Sequence, residues 1–262
     1  MRELFQMGFF QNALFMGIIL GMLFGLLSFF IVIRRMAFLG AGISHTAFGG
    51  VALGIFLGWQ PFIITAVFCM ASALIIGRMV RHKQIAYDSA IGIFFSLSMA
   101  LGALLISLRK AYTFDLSGYL FGNILGINTA DLWIASALMI VFLFLYFGFF
   151  QKLLFASLDE RAASTAGVNT NMLESVLLAF LALVIVVSIK MVGIILVSAL
   201  VVLPASFGLL CAKNYRQVLI ISAIYAMVIM TGGLFLSFFL NTPAGATIVV
   251  LGSIAYFGRM IL

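Results

Sequence analysis

The sequence predicts an all-α polytopic membrane protein with about nine transmembrane helices, within a range of eight to ten. Three observations predict it. Hydrophobic residues make up 65% of the 262 and charged residues only 8%, against about 45–50% and about 25% in soluble domains. Stretches such as Leu4–Ile33 and Met36–Gly77 hold no Asp, Glu, Lys or Arg. A helix needs about 20 apolar residues to cross a bilayer, and such stretches recur along the whole chain. No polar stretch is long enough for a soluble catalytic domain, so residues 1–262 read as a single transmembrane domain.

The spans follow in order. The first, 9–33, lies in Leu4–Ile33 and stops at Arg34-Arg35. Its apolar run is too long for a cleavable signal, and no small-residue cleavage site follows it. The second and third, 38–58 and 61–80, share Met36–Gly77. Trp59-Gln60-Pro61 divides them, because proline ends helices and tryptophan favours the interface. The fourth is 89–108. Residues 111–130 are broken by Tyr112, Asp115, Ser117, Gly118, Tyr119, Gly122, Asn123 and Asn128 and read as an extracytoplasmic loop. Irregular backbone of that kind is tolerated at membrane depth only against protein or a water-filled path. The fifth to seventh spans are 131–152, 172–189 and 192–212. The last two, 217–240 and 245–261, share Gln217–Gly258 and are divided at Asn241-Thr242-Pro243-Ala244-Gly245.

Alternating connections carry unequal charge. One set holds Arg34, Arg35, Arg78, Arg81, Lys83, Lys152, Arg161, Lys213, Arg216 and Arg259; the other holds only Arg2, Arg109, Lys110 and Lys190. The positive-inside rule puts the richer set in the cytoplasm, with the N-terminus outside and the C-terminus inside. The net charge of +7 therefore reports topology, not a nucleic-acid surface. His82, within Arg81-His82-Lys83, belongs to the same signal.

His45 is the residue that points to chemistry. It stands inside Met36–Gly77, and an ionisable ring in such a run marks a functional site by default. Histidine is also the commonest side-chain metal ligand. The alternative is a hydrogen-bonded structural histidine in the bundle. Ser44 and Thr46 beside it are candidate oxygen donors. Asp88 opens the fourth span, where an anion suits the positive end of a helix dipole. Asp115 and Asp131 lie outside, to attract cations, to meet a partner or simply to be solvated. Cys69 and Cys211 lie in apolar runs and read as small hydrophobes, not as a disulfide. The 14 methionines are scattered, which suits apolar filler better than a copper(I) path. Gly17, Gly21 and Gly25, like Gly50, Gly54 and Gly58, repeat every four residues, the spacing of close helix contact in a dimer seam, a moving interface or ordinary bundle packing.

The most polar stretch between spans is 157–168. Ser157 with Glu160 has capping-box spacing, Asp159 and Glu160 suit the positive end of a helix dipole, and Gly167 suits a helix stop. A helix of two to three turns carrying Ala162 and Ala163 is expected on the cytoplasmic face. It reads as a surface turn or as a docking helix for a cytosolic partner.

Ile33-Arg34-Arg35-Met36-Ala37-Phe38-Leu39-Gly40 with Ile43-Ser44-His45 resembles the segment after the first span in permeases of the zinc and manganese ABC importers. Tyr119-Leu120-Phe121-Gly122, Met191 to Val197 running on to Leu203-Pro204-Ala205, and Thr242-Pro243-Ala244-Gly245 follow in the family's order, and the likeness is greatest to zinc-type members. The resemblance implies a homodimeric subunit with a fold like the vitamin B12 importer permeases, in the inner or plasma membrane of a prokaryote. Two cytosolic ATPase subunits would dock around Asp159, Glu160, Ala162, Ala163 and Gly167. An extracytoplasmic binding protein would deliver a divalent metal ion, zinc first, with manganese or iron as alternatives. His45 and Asp88 are the implied metal-contacting residues, Asp88 as a second ligand or a gating residue, with no tightly held cofactor. The chain also departs from the family pattern. Ala41, Asn123 and Asn241 stand where acidic residues are usual, which removes negative charge from the entrance.

The chain has no GxxxxGK[ST] loop, so it is read as no enzyme, with ATP hydrolysis in a partner. A membrane-embedded hydrolase would need HExxH, a GxSxG-like serine or paired intramembrane aspartates, and none is present. An ABC permease for a metal chelate or cofactor is the alternative. A secondary transporter would show matching broken helices in two halves, and no internal repeat is evident.

Overall fold

The computed structural model describes residues 8–83, 85–108, 122 and 126–261. Among them lie α1 Gly8–Ile33, α2 Phe38–Leu57, α3 Pro61–Lys83, α4 Tyr87–Leu108, α5 Thr129–Leu158, α6 Glu160–Thr165, α7 Thr170–Leu200, α8 Leu203–Cys211, α9 Tyr215–Leu240 and α10 Ala244–Ile261. Nine segments among the described residues are long and apolar enough to cross a membrane. They match the nine expected spans to within two residues at each end, except that the fifth runs six residues further, to Leu158. Tyr119 to Phe121, Asp115 and Asn123 lie outside the described residues.

The helix ends follow from local sequence. Arg35 takes the left-handed conformation (φ 57°) after α1, where Met36 N–H donates to the Ile31 carbonyl and Arg35 N–H to Val32. The same pair of bonds closes α2, from Trp59 N–H to Gly54 and Gly58 N–H to Ile55, and Pro61 then opens α3. Asn241 (φ 52°) ends α9 in this way, and the Ser237 hydroxyl donates to the Thr242 carbonyl. This is the Schellman pattern, which satisfies carbonyls that a helix end would otherwise leave open. Asparagine tolerates the left-handed region better than most residues, so Asn241 has a backbone task.

The expected seventh span is interrupted twice. Gly193 (φ 74°, ψ 170°) breaks helical geometry inside α7, a conformation that only glycine adopts readily. Val201 and Val202 then form a turn before α8, which carries Pro204 in its first turn.

The helices form two compact units. The first holds α1, α5 as far as Phe150, the end of α7 from Val187, and α8 to α10. Here α1 packs on α9, and α8 lies against α9, α1 and α10. The contact is made by backbone: a methyl group on Gly21 would stand 2.9 Å from the Met227 Cα, and one on Gly25 2.5 Å from the Ala223 Cα. Lipid is as apolar as leucine, so such close approach, not water exclusion, holds membrane helices together. The Gly17–Gly25 repeat is thus packing within this unit. Phe24, Phe29 and Phe30 are fully buried around it.

The second unit holds α2, α3, α4, the last residues of α5, α6, and α7 as far as Val186. α2 packs on both α3 and α4. Gly50 and Gly54 meet Thr65 and Pro61 of α3, while Gly42 and Gly49 meet Ile91 and the Ser98 carbonyl of α4. Glycines on two faces of α2 let both neighbours approach its backbone. Cys69 of α3 is buried with its thiol 3.8 Å from the Ile43 carbonyl, and both cysteines are free.

Candidate functional site

The site lies in the second unit, between the N-terminal halves of α2 and α4. Gly42, His45 and Gly49 stand at i, i+3 and i+7, one face of a helix, and that face meets α4. The glycines admit α4 on either side of His45, the Ile91 side chain at Gly42 and the Ser98 backbone at Gly49, and the ring lies in the gap between them. There it sits edge-on to Phe95 of α4, ring centres 5.0 Å apart at 90°. The gap opens into a groove of about 360 Å³ lined by Ala41, Gly42 and His45 of α2 and by Asp88, Ile91 and Phe95 of α4. His45 is half-buried and Asp88 exposed.

The structure thus brings together the two residues that the sequence nominated from separate spans. It also places Ala41 in the same groove, one turn before the histidine. Ser44 and Thr46 take no part. Their hydroxyls donate to the carbonyls of Gly40 (2.6 Å) and Gly42 (2.8 Å), the ordinary arrangement for such residues inside a helix. Among the described residues no three His, Cys, Asp or Glu side chains gather as a metal cage. One imidazole and one carboxylate on an open groove suit a transient contact better than tight storage.

Asp131 has a local task. Its carboxylate accepts from Asn128 N–H (3.0 Å), and the Asn128 side chain accepts from Asp131 N–H (2.9 Å). This reciprocal cap starts α5.

The polar segment 157–168 forms a helix shorter than expected. Its cap is Asp159, not Ser157: the Asp159 carboxylate accepts from Ala162 N–H at 2.9 Å. The Ser157 hydroxyl instead donates to the Leu153 carbonyl, so α5 runs on to Leu158 and α6 begins at Glu160. Gly167 (φ 82°) ends α6 in a Schellman turn, with Val168 N–H on the Ala163 carbonyl and Gly167 N–H on Ser164. Asn169 immediately caps α7 by accepting from Met172 N–H. Ala163 is fully buried, Ala162 is half-exposed, and Glu160, Arg161 and Ser164 face outward.

Sequence reasoning missed Glu174. It is 3% exposed, pairs with Arg81 at 3.2 Å and accepts from the Tyr87 hydroxyl. Arg81 also donates to the Ser175 hydroxyl at 3.4 Å. A lone acidic residue one turn into an apolar helix was the available signal.

The ABC 3 transport family matches residues 6–262. The manganese transport system membrane protein MntC of Listeria innocua is 35% identical over 254 residues, which cover 97% of this chain and 90% of that protein. In structure, PsaBC from Streptococcus pneumoniae in complex with Fab superimposes with a TM-score of 0.85 at 35% identity, over 98% of this chain and 92% of that one. An ABC transporter of metal-chelate type in an inward-facing conformation gives 0.74 at 20% identity, over 96% of this chain and 85% of the other, a likeness of fold alone. The expected fold and family are both borne out. The Listeria relative is named for manganese, where the motifs had pointed to zinc.

Proposed function

From the premise that the chain belongs to the ABC 3 transport family, we propose that it is the membrane-spanning subunit of an ATP-driven importer of divalent metal ions, manganese first. Two copies would form the permease. An extracytoplasmic binding protein would deliver the ion, and two cytosolic ATPase subunits would dock on α6. The N-terminus would lie outside and the C-terminus in the cytoplasm.

The observation that carries this reading is the groove, where His45 and Asp88 stand on two helices whose N-terminal halves run side by side. An imidazole and a carboxylate suit manganese, iron or zinc, since imidazole favours the later ions and carboxylate the harder ones. Ala41 makes the contact weak, and weak contact suits an ion that must leave as readily as it enters. α6 supports the docking part. It presents a short, rigidly capped ridge with a half-exposed Ala162 and outward charges at its start. Small side chains permit close approach by a partner.

Uptake of radioactive manganese by cells expressing the whole transporter, with zinc and iron as competitors, tests the reading. His45→Ala is expected to cut uptake at limiting metal. Wild-type uptake of all three ions by that variant would return His45 to a structural role. Uptake that requires a chelator-bound metal would favour the chelate permease instead.

A further inference from the structure

We propose that Tyr87, Glu174 and Arg81 form a positioning tie that sets the place of Asp88 in the groove and joins it to the docking helix. The inference rests on the reading of the groove as the ion path.

Three helices of the second unit meet at this tie. Arg81 comes from the last turns of α3, Tyr87 is the first residue of α4, and Glu174 lies one turn into α7. α7 in turn follows α6 through the Gly167 turn and the Asn169 cap. The Glu174 carboxylate is buried between the other two groups, 3.2 Å from the Arg81 guanidinium and hydrogen-bonded by the Tyr87 hydroxyl. Gly77 lies beside it and makes room for Leu178: a methyl group there would stand 2.5 Å from Leu178 Cδ1, and at an ordinary 3.5 Å from the Glu174 carboxylate. A buried carboxylate is costly without partners, so the tie holds its members in one arrangement.

Tyr87 and Asp88 are consecutive, at the first turn of α4. The carbonyls of that turn accept from the next turn of the helix, while its leading N–H groups have no partner within it. The Tyr87 hydroxyl on Glu174 adds a contact that ties this end of α4 to α7. Fixing Tyr87 fixes the direction in which Asp88 leaves the helix, toward the groove. A displacement of α6 passes through the rigid corner at residues 166–169 to Glu174, and so to Tyr87 and Asp88. Tyr87 and Glu174 act through Asp88 and need not touch the ion.

A double-mutant cycle of Tyr87→Phe, Asp88→Asn and the pair tests this, read as half-saturating manganese in initial-rate uptake by cells expressing the complete transporter. Membrane abundance and thermal unfolding of each variant are measured alongside. Tyr87→Phe removes a single hydroxyl and should leave the fold intact. It is expected to raise half-saturation roughly fivefold, within the range of coupling between touching residues, and to have no further effect in the Asp88→Asn background. The same factor in both backgrounds would make the tie merely structural and overturn the inference. So would a silent Tyr87→Phe beside an impaired Asp88→Asn, with the groove reading left standing. A silent Asp88→Asn would instead remove the groove as the ion path, and the inference with it.

Discussion

Placing a carboxylate at position 41 is expected to tighten metal binding and slow its release. Ala41 and His45 are one turn apart on α2 and line the same groove, and side chains at i and i+4 have Cβ atoms about 5–6 Å apart. In the Ala41→Asp variant, an ion held by the His45 imidazole would stand about 4 Å from the introduced carboxylate. At an effective dielectric constant of about 20, a divalent ion and a single negative charge at that distance attract by about 8 kcal/mol. Most of this is offset by desolvation of the carboxylate and the ion. A surviving net of about 1.4–2.8 kcal/mol is roughly 10- to 100-fold in dissociation constant. A contact that holds an ion harder also releases it more slowly. Initial uptake rates against manganese concentration should therefore show half-saturation for Ala41→Asp lowered roughly tenfold, with a lower maximal rate, while Ala41→Asn, of similar size, moves little. Equal curves for Ala41→Asp and wild type would refute the claim that position 41 faces the ion.

Other perturbations separate docking from packing. Ala162→Asp, which adds charge to the half-exposed face of α6, should abolish uptake and co-purification of the ATPase subunits at unchanged protein level; normal uptake would remove α6 from the docking role. Gly25→Ala forces a methyl group against the α9 backbone and should destabilise by about 1–3 kcal/mol, as overpacking does, seen as a lower unfolding midpoint in detergent. Gly148→Ala, with open space around it, is the control expected to leave the midpoint unchanged or slightly raised. Gly193→Ala should cost about 1–3 kcal/mol in the same assay, because its conformation suits glycine alone; an unchanged midpoint would mean that the break relaxes at no cost.

Much of this architecture was legible in the sequence because lipid imposes a simple rule. The charge-free runs gave the spans, and Trp59-Gln60-Pro61 and Asn241 with Pro243 gave the two hairpin breaks. The spacing of Ala41 and His45 alone put them on one face. What the sequence did not contain was register between helices. His45 and Asp88 were linked only through a family resemblance, because nothing local says that α2 packs on α4. The partner of the Gly17–Gly25 stripe was equally hidden, though its periodicity was plain. Glu174 escaped for the same reason, since its partners Arg81 and Tyr87 are distant in the chain and Arg81 looked like a topology signal. The cap of α6 failed differently. Ser157 and Asp159 both had plausible cap chemistry, and only the continuation of α5 through Ser157 decided between them.

The glycine contact between α1 and α9 has a mechanical consequence. Helices that touch through side chains can slide, because rotamers change to absorb the shear. At Gly21 and Gly25 there is no such deformable layer, and backbone bears directly on backbone. Shear between the two helices is therefore resisted at this point. Farther along the same pair the contact passes to side chains, Phe10 against Phe235 and Phe238, so the seam is stiff at Gly21 and Gly25 and yields more easily toward the start of α1.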